Sequence, residues 1–79
     1  MGNFNEAIQD FSRCLEMYPS GTPSLVSSYF HLGRAFAGVK ETDKALKNLR
    51  TSLDMTIRVG GLSPDDSAEA RDLIEALSK

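Results

Sequence analysis

The chain has 79 residues, of which 41% are hydrophobic and 25% are charged, and its formal net charge is −2. This length and composition are ordinary for a globular protein and predict one domain, residues 1–79. No apolar run approaches the ~18 residues of a membrane-spanning helix, and the polar N-terminus lacks the apolar segment of a signal peptide. With Cys14 as its one cysteine, the chain forms no internal disulfide, which favours a reducing, cytoplasmic location.

The first predicted helix covers about residues 3–18. Asn3 followed by Glu6 resembles a capping box at its start, and Pro19 ends it. Apolar residues recur along one face at helical spacing, which are Phe4, Ala7, Ile8, Phe11, Cys14, Leu15 and Tyr18. Because free cysteines are among the most buried residues, Cys14 is predicted to be a buried, inert thiol.

The second predicted helix covers about residues 23–38, with Thr22 as its N-cap and Pro23 in its first turn. Its apolar residues lie on nearly every side, and they are Leu25, Val26, Tyr29, Phe30, Leu32, Ala35 and Phe36. A helix that is apolar all round is buried on more than one side. We therefore expect it to be the central helix, between the first and the third.

The last two predicted helices cover about residues 41–59 and 64–78. Gly60 and Gly61 give the third helix a left-handed stop. Ser63 is a good N-cap for the fourth, and Pro64 is tolerated at its first position. No segment shows the alternation of a strand, so the sequence predicts an all-α protein of four helices.

The third helix repeats the first at a spacing of 38 residues. Matching slots keep their size or apolar character, and the second copy reads Thr42, Ala45, Leu46, Leu49, Ser52, Leu53 and Thr56. A fixed period of about 20–50 residues is typical of a solenoid, in which each unit buries its apolar face on a neighbour.

The residues of this repeat resemble the tetratricopeptide repeat. The second helix carries Tyr29-x2-Leu32-Gly33-x2-Phe36, and the third continues with Ala45-x3-Leu49. The resemblance implies an antiparallel helix-pair solenoid of about one and a half units, closed by residues 62–79 as a C-terminal capping helix. The period of 38 exceeds the usual one of about 34, and the extra residues fit the connection around Gly21.

By this resemblance, the first helix is the second member of a pair whose first member is missing. We expect either that the chain has been cut from a longer one or that another surface covers this helix. Gly33 and Ala45 are predicted to be small because the two helices of a pair approach closely there.

The resemblance also implies a function, because proteins of this family bind peptides along a groove lined by the first helix of each pair. The groove residues would be Ser27, Phe30, His31 and Arg34. We expect Phe30 to serve as an apolar anchor, while His31 and Arg34, three residues apart, hold a carboxylate. An ordinary half-exposed helix edge is the alternative reading of these residues. The Lys and Asn clamp of chaperone-tail-binding members is absent, so that activity is not predicted.

A second hypothesis is structural. If the first helix lacks its pair, its apolar face is exposed, and exposed apolar patches mark interfaces. Two chains would then associate through Phe4, Ile8 and Phe11 as a homodimer.

Other function classes find no support in the sequence. One histidine and one cysteine make no metal site, and no catalytic set or phosphate loop is visible, so neither an enzyme nor a cofactor is predicted. Lys40, Lys44 and Lys47 lie at helical spacing and form either a basic stripe for an acidic partner or a solvated helix face. We predict a protein or peptide partner, and neither nucleic acid nor membrane.

Overall fold

The computed structural model describes residues 4–17 and 23–78. These residues form four helices and no strand, namely α1 (Phe4–Met17), α2 (Pro23–Gly38), α3 (Thr42–Val59) and α4 (Pro64–Leu77). The predicted all-α, four-helix architecture is confirmed. The predicted caps Asn3 and Thr22 and the predicted stop at Pro19 lie outside the described residues.

The helices pack in chain order, each antiparallel to the one before it. α2 packs on α1 and most extensively on α3, α4 packs on α3, and a smaller contact joins α4 to α2. Most of the buried apolar residues of the described chain come from α2, and they are Leu25, Val26, Phe30, Leu32 and Ala35. The prediction that α2 is the central helix is therefore confirmed.

The closest approach between α2 and α3 is at Gly33. A Cβ added there would stand 2.5 Å from Leu49 Cγ, a distance that packed side chains do not reach. Leu49 and Ala45, which face α2 from α3, are both 0% exposed. The glycine lets the two helices come together, as the sequence predicts for a small residue at this position.

Ser52 shows how a polar residue is accommodated in this packing. Its side chain is fully buried, and its hydroxyl donates a hydrogen bond of 2.7 Å to the Leu49 carbonyl of the preceding turn. Because a buried hydroxyl without a partner is costly, this bond allows serine to fill a slot that suits a small residue.

The turn between α2 and α3 is a Schellman motif centred on Lys40. The Glu41 N–H donates to the Phe36 carbonyl (2.9 Å), and the Lys40 N–H donates to the Ala37 carbonyl (3.2 Å). Lys40 adopts a left-handed backbone with φ of 64°, where glycine is the usual residue. The turn therefore stores a conformational cost in a lysine.

The ends of α3 and α4 follow the signals in the sequence. Gly60, with φ of 79°, ends α3, and the Ser63 hydroxyl accepts a hydrogen bond of 3.1 Å from the Asp66 N–H at the start of α4. Gly61 lies against Val26 of α2, where a Cβ would stand 2.7 Å from the valine Cβ. The predicted glycine stop and serine cap are confirmed, and the connection they define packs on the central helix.

Replacing Gly33 with alanine tests the close approach of α2 and α3. We expect Gly33→Ala to lower the free energy of unfolding by about 1–2 kcal/mol, because overpacking a core exceeds the ~1 kcal/mol that alanine gains in helix propensity. Gly38→Ala is the matched control, since its Cβ would meet only the ring of Phe4, which is 40% exposed and free to turn aside. Urea unfolding followed by circular dichroism measures both. Equal stability of the two variants would contradict the assignment.

Replacing Lys40 with glycine tests the strained turn. We expect Lys40→Gly to stabilise the protein by up to about 1 kcal/mol, because glycine adopts positive φ without the cost that a side chain brings. Lys47→Gly, in the exposed middle of α3, should instead destabilise by about 1 kcal/mol through lost helix propensity. Thermal unfolding of the pair measures this opposite sign, and a loss of stability in both variants would refute the prediction.

Candidate functional site

Solvent reaches one continuous stripe along the central helix, which we call the α2 stripe. It consists of Ser27, His31, Arg34 and Gly38, whose spacing of four, three and four residues places them on one face. Ser27 and His31 are half-buried, whereas Arg34 and Gly38 are exposed. The stripe contains three of the four groove residues expected from the sequence.

Phe30, the fourth expected groove residue, is not on the surface. It is 1% exposed and belongs to the core cluster with Leu49 and Ala70. The expectation that Phe30 is an apolar anchor for a partner is therefore wrong. Its ring lies on the flank of α2 that α3 and α4 cover, so its contacts stabilise the fold.

His31 forms a stacked pair with Phe11 of α1. The two ring centroids are 5.0 Å apart, and the planes are inclined by only 18°. The Phe30 ring lies on another side of the imidazole, at 5.4 Å and tilted by 51°. Both His31 and Phe11 stay half-buried, so the stack forms a flat, partly apolar surface between α1 and α2.

Arg34 connects the stripe to the fourth helix. Its Nε lies 2.9 Å from Glu69 Oε2 of α4, and its guanidinium carbon lies 5.5 Å from the centroid of the Phe30 ring. The side chains of Arg34 and Glu69 are 49% and 45% exposed. The Arg34 guanidinium is thus held in place by a carboxylate and an aromatic ring while water still reaches it.

Glu69 is the one residue of this arrangement that sequence reasoning missed. It is distant from Arg34 in the chain, and its exposed helix face suggests only solvation. A signal was present, however, because Glu69 follows His31 by the same 38 residues that relate α1 to α3. The period therefore places it on the next helix at the slot that corresponds to His31.

The residues expected for self-association are used in part within the chain. The Phe4 ring lies against Gly38 and Phe11 stacks on His31, so both rings contact α2. Ile8 is half-buried, and Phe4 remains 40% exposed. Association between chains stays a prediction.

Other candidate features occupy separate places. Cys14 is half-buried rather than buried, which corrects the expectation for it. Lys40, Lys44 and Lys47 are exposed, and the Lys44 ammonium lies 5.6 Å from the centroid of the Phe36 ring. Within residues 4–17 and 23–78, no three His, Cys, Asp or Glu side chains gather as a metal site, and no helix is long and apolar enough to cross a membrane.

A double-mutant cycle tests the link between Arg34 and Glu69. Single and double alanine variants should show a coupling of about 0.2–1 kcal/mol, the range of an exposed ion pair. We expect the coupling to approach zero in 1 M NaCl, because salt screens exposed charges. The ion pair of Arg58 with Asp54 within α3, at 3.1 Å, supplies a control cycle that leaves α4 untouched. A salt-independent coupling would contradict the prediction.

Comparison with known proteins identifies the repeat. Residues 1–20, which include α1, match the family model of the tetratricopeptide repeat. No curated protein and no solved structure gives a match. Tetratricopeptide repeats generally mediate protein–protein interactions and are typically not enzymes. The chain therefore carries a sequence of the tetratricopeptide repeat family, as its internal repeat and its four packed helices predict.

Proposed function

We propose that this chain binds a peptide or a helix of a protein partner along the α2 stripe. The observation that carries the proposal is the exposure pattern of α2. The central helix is largely buried by its neighbours, yet it leaves Ser27, His31 and Arg34 accessible in a row. Half-exposed Tyr29 and Phe36 lie on the opposite side of the helix, so the stripe is a distinct surface.

The apolar contact for the partner is the stack of Phe11 on His31. A flat pair of rings offers contact area with few rotatable bonds, which favours binding of an aliphatic or aromatic side chain. This pair takes the place of Phe30, whose burial removes it from the surface. An apolar side chain of the partner would therefore lie between α1 and α2.

The polar contact for the partner is Arg34. A guanidinium has five N–H donors, so the bond from Nε to Glu69 leaves donors for a carboxylate of the partner. The pair with Glu69 is exposed, and such pairs contribute only about 0–1 kcal/mol, so an incoming carboxylate exchanges with Glu69 at little cost. The stripe thus fits a segment with an acidic residue one helical turn from an apolar one.

Selection of binding peptides tests this function. A phage-displayed random peptide library is selected on the wild-type protein, and the recovered peptides are measured against Arg34→Ala and His31→Ala. We expect affinity to fall about tenfold or more, the loss typical of a central interface residue. Phe30 is left intact, because its truncation would damage the core.

The control for this experiment is Arg58→Ala. Arg58 is also an exposed arginine in an ion pair, but it lies on α3 and outside the stripe. Peptides should bind this variant as they bind the wild type. If the selected peptides bind the stripe variants with unchanged affinity, the assignment of the site is wrong.

A further inference from the structure

The two copies of the internal repeat differ sharply in burial. Ala45, Leu49 and Ser52 of α3 are all 0% exposed. Their counterparts in α1, 38 residues earlier, are Ala7, Phe11 and Cys14, and all three are half-buried. No residue of α1 is buried. Because the sequence pattern is shared, the difference comes from the neighbours of each helix.

The neighbours of Leu49 and Phe11 account for the difference. Leu49 is contacted from the preceding helix by Gly33 and shares a core cluster with Ala70 of the following helix. Phe11 is contacted from the following helix by His31. Within the described residues, α1 packs against α2 alone. The side of α1 that corresponds to the α2-facing side of α3 is therefore uncovered.

We infer that the uncovered side of α1 is a docking surface for one helix of a partner protein, and that this helix is of the α2 type. The internal repeat specifies its character. It needs a small residue where it crosses Phe11, as Gly33 crosses Leu49, and an apolar face that covers Ala7 and Cys14. The surface is as long as α1, about 20 Å, which suits a helix of about four turns.

The charges support an occupant of this kind. The charged residues of α1 are Glu6, Asp10, Arg13 and Glu16, which sum to −2. The one charged residue of α2 is Arg34, so a helix of the α2 type carries a net positive charge. Attraction between the two helices then favours association over self-contact of α1, in which like charges meet.

A second copy of this chain is a poorer occupant. The α2 helix of any copy is already buried by its own α1 and α3. Contact between two α1 helices would place phenylalanine against phenylalanine, whereas the internal repeat places glycine against leucine at the matching position. The partner helix therefore comes from a different protein.

The test uses the α2 sequence itself as the probe. A fluorescent peptide of residues 22–39 is titrated with the whole chain, and binding is followed by fluorescence anisotropy. We expect saturable binding of one peptide per chain. A peptide with Gly33→Leu should bind at least about tenfold more weakly, because the leucine would collide with Phe11. Equal binding of the two peptides, or no saturable binding, would overturn the inference.

Variants of the whole chain locate the surface. Ala7→Glu places a charge on the uncovered side of α1 and should weaken binding at least about tenfold. Ala68→Glu, an equivalent change at an exposed position of α4, is the control and should leave binding unchanged. Circular dichroism confirms that both variants fold. Because the peptide contrast requires no change in the chain, a misfolded Ala7→Glu variant leaves the inference testable.

Two further outcomes separate this surface from others. The peptide should bind Arg34→Ala as it binds the wild type, so failure of the α2 stripe and failure of the α1 surface are distinguishable. Sedimentation at low micromolar concentration should show a monomer. A dimer that Ala7→Glu dissociates would instead assign the surface to a second copy and overturn the inference.

Discussion

The close approach of Gly33 to Leu49 determines how the rest of the molecule is arranged. Without a side chain on α2 at this point, α3 lies near enough to bury Ala45, Leu49 and Ser52 completely. Burial of the α2–α3 seam then leaves Leu49 in position to share a cluster with Phe30 and with the helix that follows. Every other interface adds to this seam, since α1 and α4 each pack on a helix that the seam has already fixed.

The same packing explains why the candidate site is composed as it is. α2 has neighbours on several sides, so its accessible surface is reduced to a narrow row in which each residue contacts a different helix. His31 contacts α1 through Phe11, and Arg34 contacts α4 through Glu69. The row therefore reports the relative positions of three helices, and a partner that binds along it contacts a surface that none of the helices forms alone.

The sequence predicts the elements well because their signals are local. The helical periodicity, the glycine stop at Gly60 and the cap at Ser63 each act within a few residues. The left-handed Lys40 was not predictable, since lysine carries no preference for positive φ. Phe30 was misassigned because it is only one residue from the stripe, and its burial depends on where α3 and α4 lie. The ion pair of Arg34 with Glu69 likewise depends on packing between distant segments.

The absence of buried residues in α1 has a consequence for how the fold comes apart. In a stack where each helix interacts with its nearest neighbours, local stability rises with the number of covered sides. α1 is covered by α2 alone among the described helices, whereas α2 and α3 are each enclosed by two or more. Cooperativity is therefore graded along the chain, and α1 opens at a lower free energy than the α2–α3 seam. A helix that covers α1 would extend the cooperative unit toward the N-terminus.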